Sequence, residues 1–257
     1  LGRLGHEVHV VTALPWYREH RVDESWAGVR WRNRTMATEF GSVTRLNPFA
    51  GGDRTNLLRR ALGFVGFTVL SLVAGLRVAR SSRRVDAVIA MSPPLTIGLC
   101  GWLVALARRG RFVFNIQDVF PDAAVETGAI TNRWVIAIAR LLEKVSYRVS
   151  NAVTVLSDDL RDNVASKLPK RQKSKVVVIP NFVDTEVIRP MPSSTSYRRE
   201  LGLDDRPVVM YAGNVGFSQS LDLVVGAAMQ RPGYQFVVNG SGSARASLEE
   251  SARSVPN

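Results

Sequence analysis

Cysteine and histidine are scarce in this chain of 257 residues. Cys100 is the only cysteine, so an internal disulfide is excluded and the composition fits a reducing compartment. No histidine shows metal-ligand spacing with cysteine or acidic residues, and His6 and His9 fall on opposite faces of one predicted strand. We therefore predict no bound metal and interpret both histidines as strand residues near a sheet edge.

The chain also lacks an apolar run of full membrane-spanning length. The best candidate, residues 61–76, is shorter than the roughly 18 to 20 residues that a spanning helix needs, and glycine, serine and threonine dilute it. Arginines bracket this run on both sides. Three interpretations stay open: a helix buried in the first domain, a helix lying on an anionic membrane, and a true span. A helix with one face buried in the domain and the other on the membrane would satisfy the first two interpretations.

Acidic residues are too few to balance the basic ones. Lysine and arginine total 34 against 22 acidic residues, which gives a net charge of +12 carried almost wholly by arginine. This excess suits a polyanionic partner: an anionic membrane surface, a nucleotide phosphate or nucleic acid. Nucleic acid is the least favoured, because the arginines flank apolar helices and no strand face interleaves them with aromatics.

Alternating strand and helix patterns predict an α/β fold with a doubly wound parallel sheet. Residues 43–53, with Pro48 and two glycines, are predicted to be loop, and residues 28–32 are a candidate short strand. The other predicted strands and helices are strands at 5–12, 85–91, 111–116, 151–156, 176–179, 207–212 and 234–238, and helices at 61–76, 95–107, 131–148 and 221–229, with further helices after Ser157 and Arg245.

The apolar run 176–179 marks the end of the first domain. It has no polar face, which predicts a fully buried strand, and it stops at Pro180. We predict a first domain at 1–185, a proline- and serine-rich linker at 186–206, and an incomplete second domain at 207–257 that opens on another buried strand. Ligands of open parallel sheets bind outside the carboxyl ends of the strands, so two such domains would enclose a cleft. We expect a longer protein to contain this chain.

Two loops of the second domain contain glycines and lead from a strand into a helix. They lie at 213–220 and 240–245. Glycine lets the backbone approach a phosphate, and the following helix offers free N–H groups. The second loop has the first two glycines of the dinucleotide fingerprint but Arg245 in place of the third. A tight turn without a ligand therefore stays an alternative.

The segment after the strand 111–116 supplies three candidate acids, Asp118, Asp122 and Glu126. Paired carboxyl groups can act as general acid and base. Pro121 argues against one regular helix that carries all three, and Asp122 could instead cap the helix after the proline. Asp118 is the leading candidate for an acceptor contact or base that faces the cleft.

Short motifs along the chain agree in order and spacing with one family. They are GHEV at 5–8, MSPPL at 91–95, QDVFPD at 117–122 with Gly128, LEK at 142–144 with Tyr147-Arg148, VLS at 155–157, IPNFVDT at 179–185, YAGN at 211–214 and GSG at 240–242. The chain resembles the retaining glycosyltransferases of family 4, and within them the WbuB-like bacterial sugar transferases of surface-polysaccharide assembly. The resemblance covers nearly the whole chain and implies the GT-B fold of two Rossmann-like domains.

The resemblance also implies a function. The amino-terminal domain would bind the acceptor and the carboxyl-terminal domain a nucleotide-diphosphate sugar, with retaining transfer to a lipid-linked acceptor at the cytoplasmic face of the plasma membrane. No metal or other cofactor is implied. The site residues that it implies are, on the donor side, Gly213, Asn214, Gln219, Gly240 and Gly242, and on the acceptor side Ser92 and Gln117 beside the catalytic candidate Asp118.

Several positions depart from the family. Asn214 and Gln219 replace an arginine and a lysine found in many members, Ser220 replaces a glycine, and Gln117 replaces a histidine or arginine. Neutral amides stabilise a diphosphate less than cations do. The family's first glycine-rich loop and its paired glutamates are expected outside residues 1–257, so we expect the chain alone to be inactive. Two other functions stay open: a sugar-nucleotide epimerase of the same fold, and a non-catalytic nucleotide-binding or membrane scaffold.

Overall fold

The computed structural model describes residues 1–14, 26, 34–47, 57–78, 84–118, 120–122, 125, 130–216 and 219–257, with the backbone alone for 57–61. These residues form two compact units, Leu1–Phe182 and Val183–Asn257. The candidate strand at 28–32 and the candidate acid Glu126 lie outside the described residues. Strands alternate with helices in both units, as expected of an α/β fold.

A three-stranded sheet begins the first unit. Its strands are β1 (Val8–Ala13), β2 (Arg34–Thr38) and β3 (Gly41–Leu46), in the order β1-β3-β2. β3 pairs in parallel with β1 and antiparallel with β2. The loop predicted at 43–53 is therefore wrong for residues 43–46, where β-branched residues fit the pleated strand. In the described part of the sheet β1 is an edge strand, and it carries His9, whose Nδ1 atom lies 2.8 Å from Oγ of Ser42.

A four-stranded parallel sheet carries the core of the first unit. Its strands, in spatial order, are β4 (Ala87–Ser92), β5 (Arg111–Ile116), β6 (Ala152–Val155) and β7 (Val176–Val178). All neighbours are parallel, so the carboxyl ends lie along one edge. The prediction of a fully buried strand at 176–179 is wrong. β7 is an edge strand among the described residues, and Val177 and Ile179 are 46% and 48% exposed.

In the described part of this unit, the helices that accompany these strands are α1 (Leu57–Arg77), α2 (Thr96–Ala107), α3 (Arg133–Val149) and α4 (Asp158–Ser166). Asn132 caps α3, because its Oδ1 atom accepts from the backbone N–H groups of residues 134 and 135 at 2.9 and 3.3 Å. Ser157 caps α4 in the same way. α2 contacts α1, α3 and the strands β4 and β5, so it lies at the centre of this helical layer.

The core of the first unit is packed between α2, α3 and the parallel sheet. Phe112 and Phe114 of β5 are fully buried. A Cβ atom on Gly98 of α2 would lie 2.8 Å from Cβ of Ser146 in α3, so glycine allows these helices to pack closely. In α1, Ser71 and Ala74 are buried and Phe67 and Leu72 pack against the core, while Leu62, Val65 and Val69 are exposed. Among the described helices, none combines the length and the apolar character that crossing a membrane requires.

The second unit contains one parallel strand pair, β8 (Val208–Ala212) and β9 (Gln235–Asn239). Its helices are α5 (Ser196–Glu200), α6 (Asp222–Gln230) and α7 (Arg245–Ala252). Val215, Leu221 and Leu248 form its small core. The buried strand predicted at 207–212 is instead partly open among the described residues, since Val209 and Met210 are 45% and 52% exposed.

Candidate functional site

The two glycine loops of the second unit contact each other. They leave adjacent ends of β8 and β9, where residue 212 pairs with residue 239. The backbone N–H of Val215 donates to the carbonyl of Ser241 at 2.9 Å, and that of Ala244 donates to the carbonyl of Val215, also at 2.9 Å. The structure thus brings together all the predicted donor-side residues: Gly213, Asn214, Gln219, Gly240 and Gly242.

Gly240 and Gly242 are required by this close contact. A Cβ atom on Gly240 would collide with the carbonyl oxygen of Gly213, and one on Gly242 with the carbonyl oxygen of Val215. Both obstacles are backbone atoms, which cannot rotate away as a side chain can. The packing of the loops against each other therefore already explains both glycines, with or without a ligand.

Asn214 and Gln219 form a small network within the first loop. The Oε1 atom of Gln219 accepts from the backbone N–H of Gly216 at 3.1 Å and from Nδ2 of Asn214 at 3.3 Å. The hydroxyl of Tyr211 donates to the carbonyl oxygen of Asn214 at 2.8 Å. Both amide side chains are exposed. Because Gln219 uses its Oε1 atom inside the loop, it can still donate to a ligand through Nε2.

Helices begin directly after both loops. α6 starts at Asp222 and α7 at Arg245, and among the described residues no side chain caps either helix. The amino termini of uncapped helices favour anions. Ser220, just before α6, has a φ of +49°, in the left-handed region that favours glycine. This backbone conformation explains why a glycine would suit the position, as the family resemblance implies.

In the first unit, Ser92 and Gln117 lie at the carboxyl ends of neighbouring strands. Gln117 donates through Nε2 to Oδ1 of Asn115, and Nδ2 of Asn115 donates to Oγ1 of Thr154 at 2.8 Å. Ser92 is 1% exposed, and its Oγ atom has no hydrogen-bond partner among the described residues. Asp118 is exposed beside Gln117. The three predicted acceptor-side residues thus share one edge of the sheet, with Ser92 beneath the surface.

An ion cluster in the first unit was not predicted from the sequence. Nζ of Lys167 lies 2.6 Å from Oδ2 of Asp122 and 2.7 Å from Oε1 of Glu143. The hydroxyl of Tyr147 donates to the same Glu143 oxygen at 3.0 Å. These four residues, the Lys167 cluster, join the segment after β5 to α3 and to the end of α4. Only the spacing of Glu143 and Tyr147, one helical turn apart, signals any of these contacts.

A cavity of about 390 Å³ lies beside the cluster, lined by Asp122, Arg140, Glu143, Lys144 and Lys167. Burial pushes the pKa of Asp122 upward, but the hydrogen bond from Lys167 and its charge outweigh burial and hold that pKa below its ordinary value. Asp122 is therefore an ionised partner of Lys167 and is unsuited to act as a general acid. Nowhere in the described ranges do three or more histidine, cysteine or acidic side chains come together in a possible metal site.

The Lys167 cluster should make stability sensitive to acid. The pKa of Asp122 is lower in the folded chain than in the unfolded chain, where it is about 3.9. Its contribution to stability is therefore present above that pH and is lost as the pH falls through the folded-state pKa. We expect the urea midpoint to fall less steeply below about pH 4 in Asp122→Asn than in the unaltered chain. Equal pH dependence of the two urea midpoints would contradict this role.

Residues 1–181 match the glycosyl transferase 4-like domain, so the chain belongs to this family of glycosyltransferases. It is 26% identical over 261 residues to WcaI, a glycosyl transferase assigned to colanic acid biosynthesis in Escherichia coli K12, with 98% of this chain and 62% of that protein covered. It is 32% identical over 123 residues to the alpha-D-kanosaminyltransferase of Streptomyces kanamyceticus, with 44% of this chain and 31% of that enzyme covered.

Solved structures confirm the GT-B fold. Sucrose-phosphate synthase from Thermosynechococcus elongatus superposes with a TM-score of 0.65 at 16% identity, covering 98% of this chain and 58% of that structure. Anabaena HepE in complex with UDP and glucose superposes with a TM-score of 0.56 at 10% identity, covering 95% of this chain and 65% of that structure. The chain spans less than two thirds of the length of WcaI and of these structures. The family and fold predicted from the sequence are confirmed, while the roles of single residues stay predictions.

Proposed function

We propose that this chain is part of an enzyme that moves a sugar from a nucleotide-diphosphate sugar to an acceptor in cell-surface polysaccharide assembly. The observation that carries the proposal is the pair of contacting glycine loops at the carboxyl ends of β8 and β9, each followed by a helix amino terminus. Family membership, the pathway assigned to WcaI and the UDP bound to HepE support it.

In this proposal the loops hold the donor diphosphate. Gly240 and Gly242 allow close backbone approach, while Asn214 and Gln219 donate through their amide groups. Negative charge accumulates on the departing diphosphate, so fixed donors stabilise the transition state of a retaining transfer. No metal or other cofactor takes part in the proposed reaction, and neutral amides hold the diphosphate less strongly than cations would.

Titration with UDP and with GDP by calorimetry tests the donor site. We expect UDP to bind, and Gln219→Ala to weaken binding by about tenfold, because one hydrogen bond to a charged phosphate is lost. Gln230→Ala is the matched control, since it removes an exposed amide at the far end of α6. If neither this chain nor the whole enzyme of which it is part binds either nucleotide, the loops are turns without a ligand and a scaffold function replaces the transferase.

Asp118 is proposed as the acceptor contact or base. It is exposed beside Gln117 at the carboxyl edge of the parallel sheet. In the whole enzyme of which this chain is part, Asp118→Ala should lower turnover by about 100-fold, the lower end of what a general base contributes, and leave nucleotide affinity unchanged. Asp159→Ala, which removes an exposed acid from the first turn of α4, should leave both quantities unchanged. Unaltered turnover in Asp118→Ala would remove Asp118 from the site.

We also propose a lipid-linked acceptor and a peripheral location at the inner face of the plasma membrane. Two observations support this proposal: the exposed apolar side chains Leu62, Val65 and Val69 on the outer face of α1, and the net charge of +12. Flotation of the chain with anionic liposomes at low salt measures the association. No flotation under those conditions would contradict a membrane location.

A further inference from the structure

Helix α3 carries apolar side chains that do not serve the core. Trp134, Ile138 and Leu141 are 71%, 58% and 62% exposed. Their spacings of four and three residues place them on one face of the helix. The residues of α3 that are buried lie on another face: Ala139, Glu143, Ser146 and Tyr147. The set Trp134, Ile138 and Leu141 is called the α3 stripe.

The exposed charges on α3 are all basic. They belong to Arg133, Arg140, Lys144 and Arg148. The only acid of the helix, Glu143, is buried and paired with Lys167. Arg140, Lys144 and Arg148 follow at intervals of four and form a line about 90° around the helix axis from the α3 stripe. A basic border therefore runs alongside an exposed apolar face.

We propose that the α3 stripe docks on an anionic lipid bilayer. The apolar side chains would enter the boundary between headgroups and acyl chains, while the basic line contacts lipid phosphates. Tryptophan suits this boundary, because its ring is apolar and its N–H can stay hydrated. A second copy of the chain is a poor occupant, because pairing two α3 helices would bring their basic side chains together.

The proposal deepens the proposed function, on which its biological meaning rests, since a lipid-linked acceptor would be met at the same surface. It also adds α3 to the α1 surface of that proposal. Both helices expose apolar side chains, but the basic residues of α3 lie along the helix beside the α3 stripe, whereas the arginines around the apolar run of α1 bracket its two ends.

Flotation with phosphatidylcholine vesicles, with and without phosphatidylglycerol, tests the proposal in the absence of nucleotide. We expect the chain to float only with the anionic vesicles, and less as salt is added. The triple variant Trp134→Ser, Ile138→Ser and Leu141→Ser should bind at least about tenfold more weakly. Replacing Arg140, Lys144 and Arg148 with glutamine should also weaken binding by at least about tenfold, and these exposed polar exchanges leave the core untouched.

A control variant alters an equally exposed apolar side chain elsewhere. Leu223→Ser alters α6, where the side chain is 76% exposed, and it should bind vesicles within about twofold of the unaltered chain. Val65→Ser with Val69→Ser alters the α1 surface already proposed to contact the membrane, so it should weaken binding independently of the α3 variants. Unchanged binding by both α3 variants would overturn the proposal. A self-association that the α3 stripe variant abolishes, without any vesicle binding, would assign the stripe to a protein interface.

The outcome is separable from that of the donor site. The α3 stripe lies in the first unit and the glycine loops lie in the second, so the stripe variant should bind UDP as the unaltered chain does. Vesicle binding without UDP binding would keep the docking surface and remove the transferase. UDP binding without vesicle binding would keep the transferase and remove the docking surface.

Discussion

Replacing Lys167 with methionine is expected to lower the free energy of unfolding by about 2–4 kcal/mol. The substitution removes Nζ from both carboxylates and leaves buried Glu143 with the hydroxyl of Tyr147 as the remaining partner seen in the cluster. Breaking a buried pair costs about 3–5 kcal/mol, and the 21% exposure of Lys167 reduces that cost through water. Urea unfolding followed by circular dichroism measures the change.

Two further variants show whether the burial of the Lys167 cluster causes this loss of stability. Arg161→Met removes exposed ion pairs with Asp158 and Asp162 and should cost less than about 0.5 kcal/mol. Adding Glu143→Gln to Lys167→Met should recover part of the loss, because a neutral amide can still accept from Tyr147 without a buried charge. Equal costs for Lys167→Met and Arg161→Met would mean that the cluster is no stronger than a surface ion pair.

Local signals in the sequence were sufficient to predict most helices and strands. The strand predicted at 111–116 is β5 from its first residue to its last, because Gly110 precedes the apolar run and polar residues follow it. The helix predicted at 131–148 is α3, which Asn132 caps, and the helix predicted after Ser157 is α4, which Ser157 caps. Caps and breakers act within a few residues, so a single sequence contains their whole cause.

Burial depends on neighbours that a local pattern does not contain. The run 176–179 has the composition of a central strand, yet β7 is at the edge of its sheet in the described residues, and Val177 is exposed. The loop prediction for residues 43–46 was wrong for a related reason. Its strand character comes from pairing with β1 and β2, while Pro48 and the nearby glycines favoured a loop from sequence alone.

In the candidate site, too, some contacts could be predicted from the sequence and others could not. The contact between the glycine loops follows from two strand-to-helix turns at adjacent ends of a parallel pair, which the sequence pattern already indicated. The Lys167 cluster was missed because Lys167 is 24 residues from Glu143 and 45 from Asp122, and no periodicity connects them. The α3 stripe was missed because apolar residues occur on two faces of α3, and only the packing shows which face is covered.

Substituting Gly240 with alanine is expected to weaken UDP binding by at least about tenfold, or about 1.4 kcal/mol. The added methyl group would collide with the carbonyl oxygen of Gly213, so one of the two loops must move. That movement disturbs the hydrogen bond from Val215 to Ser241 and the backbone that the diphosphate would approach. The strain should also destabilise the second unit by about 1–3 kcal/mol. Calorimetric titration and urea unfolding measure the two effects.

Gly226→Ala provides the matched control. Gly226 lies within α6, and a Cβ atom there would meet nothing within 4 Å. Alanine is the better helix former by about 0.8–1.0 kcal/mol, so this variant should be more stable and bind UDP unchanged. If Gly240→Ala lost stability but kept its UDP affinity, the loop contact would serve folding only. The donor diphosphate would then have to bind elsewhere, because a movement of these two loops would not have changed its affinity.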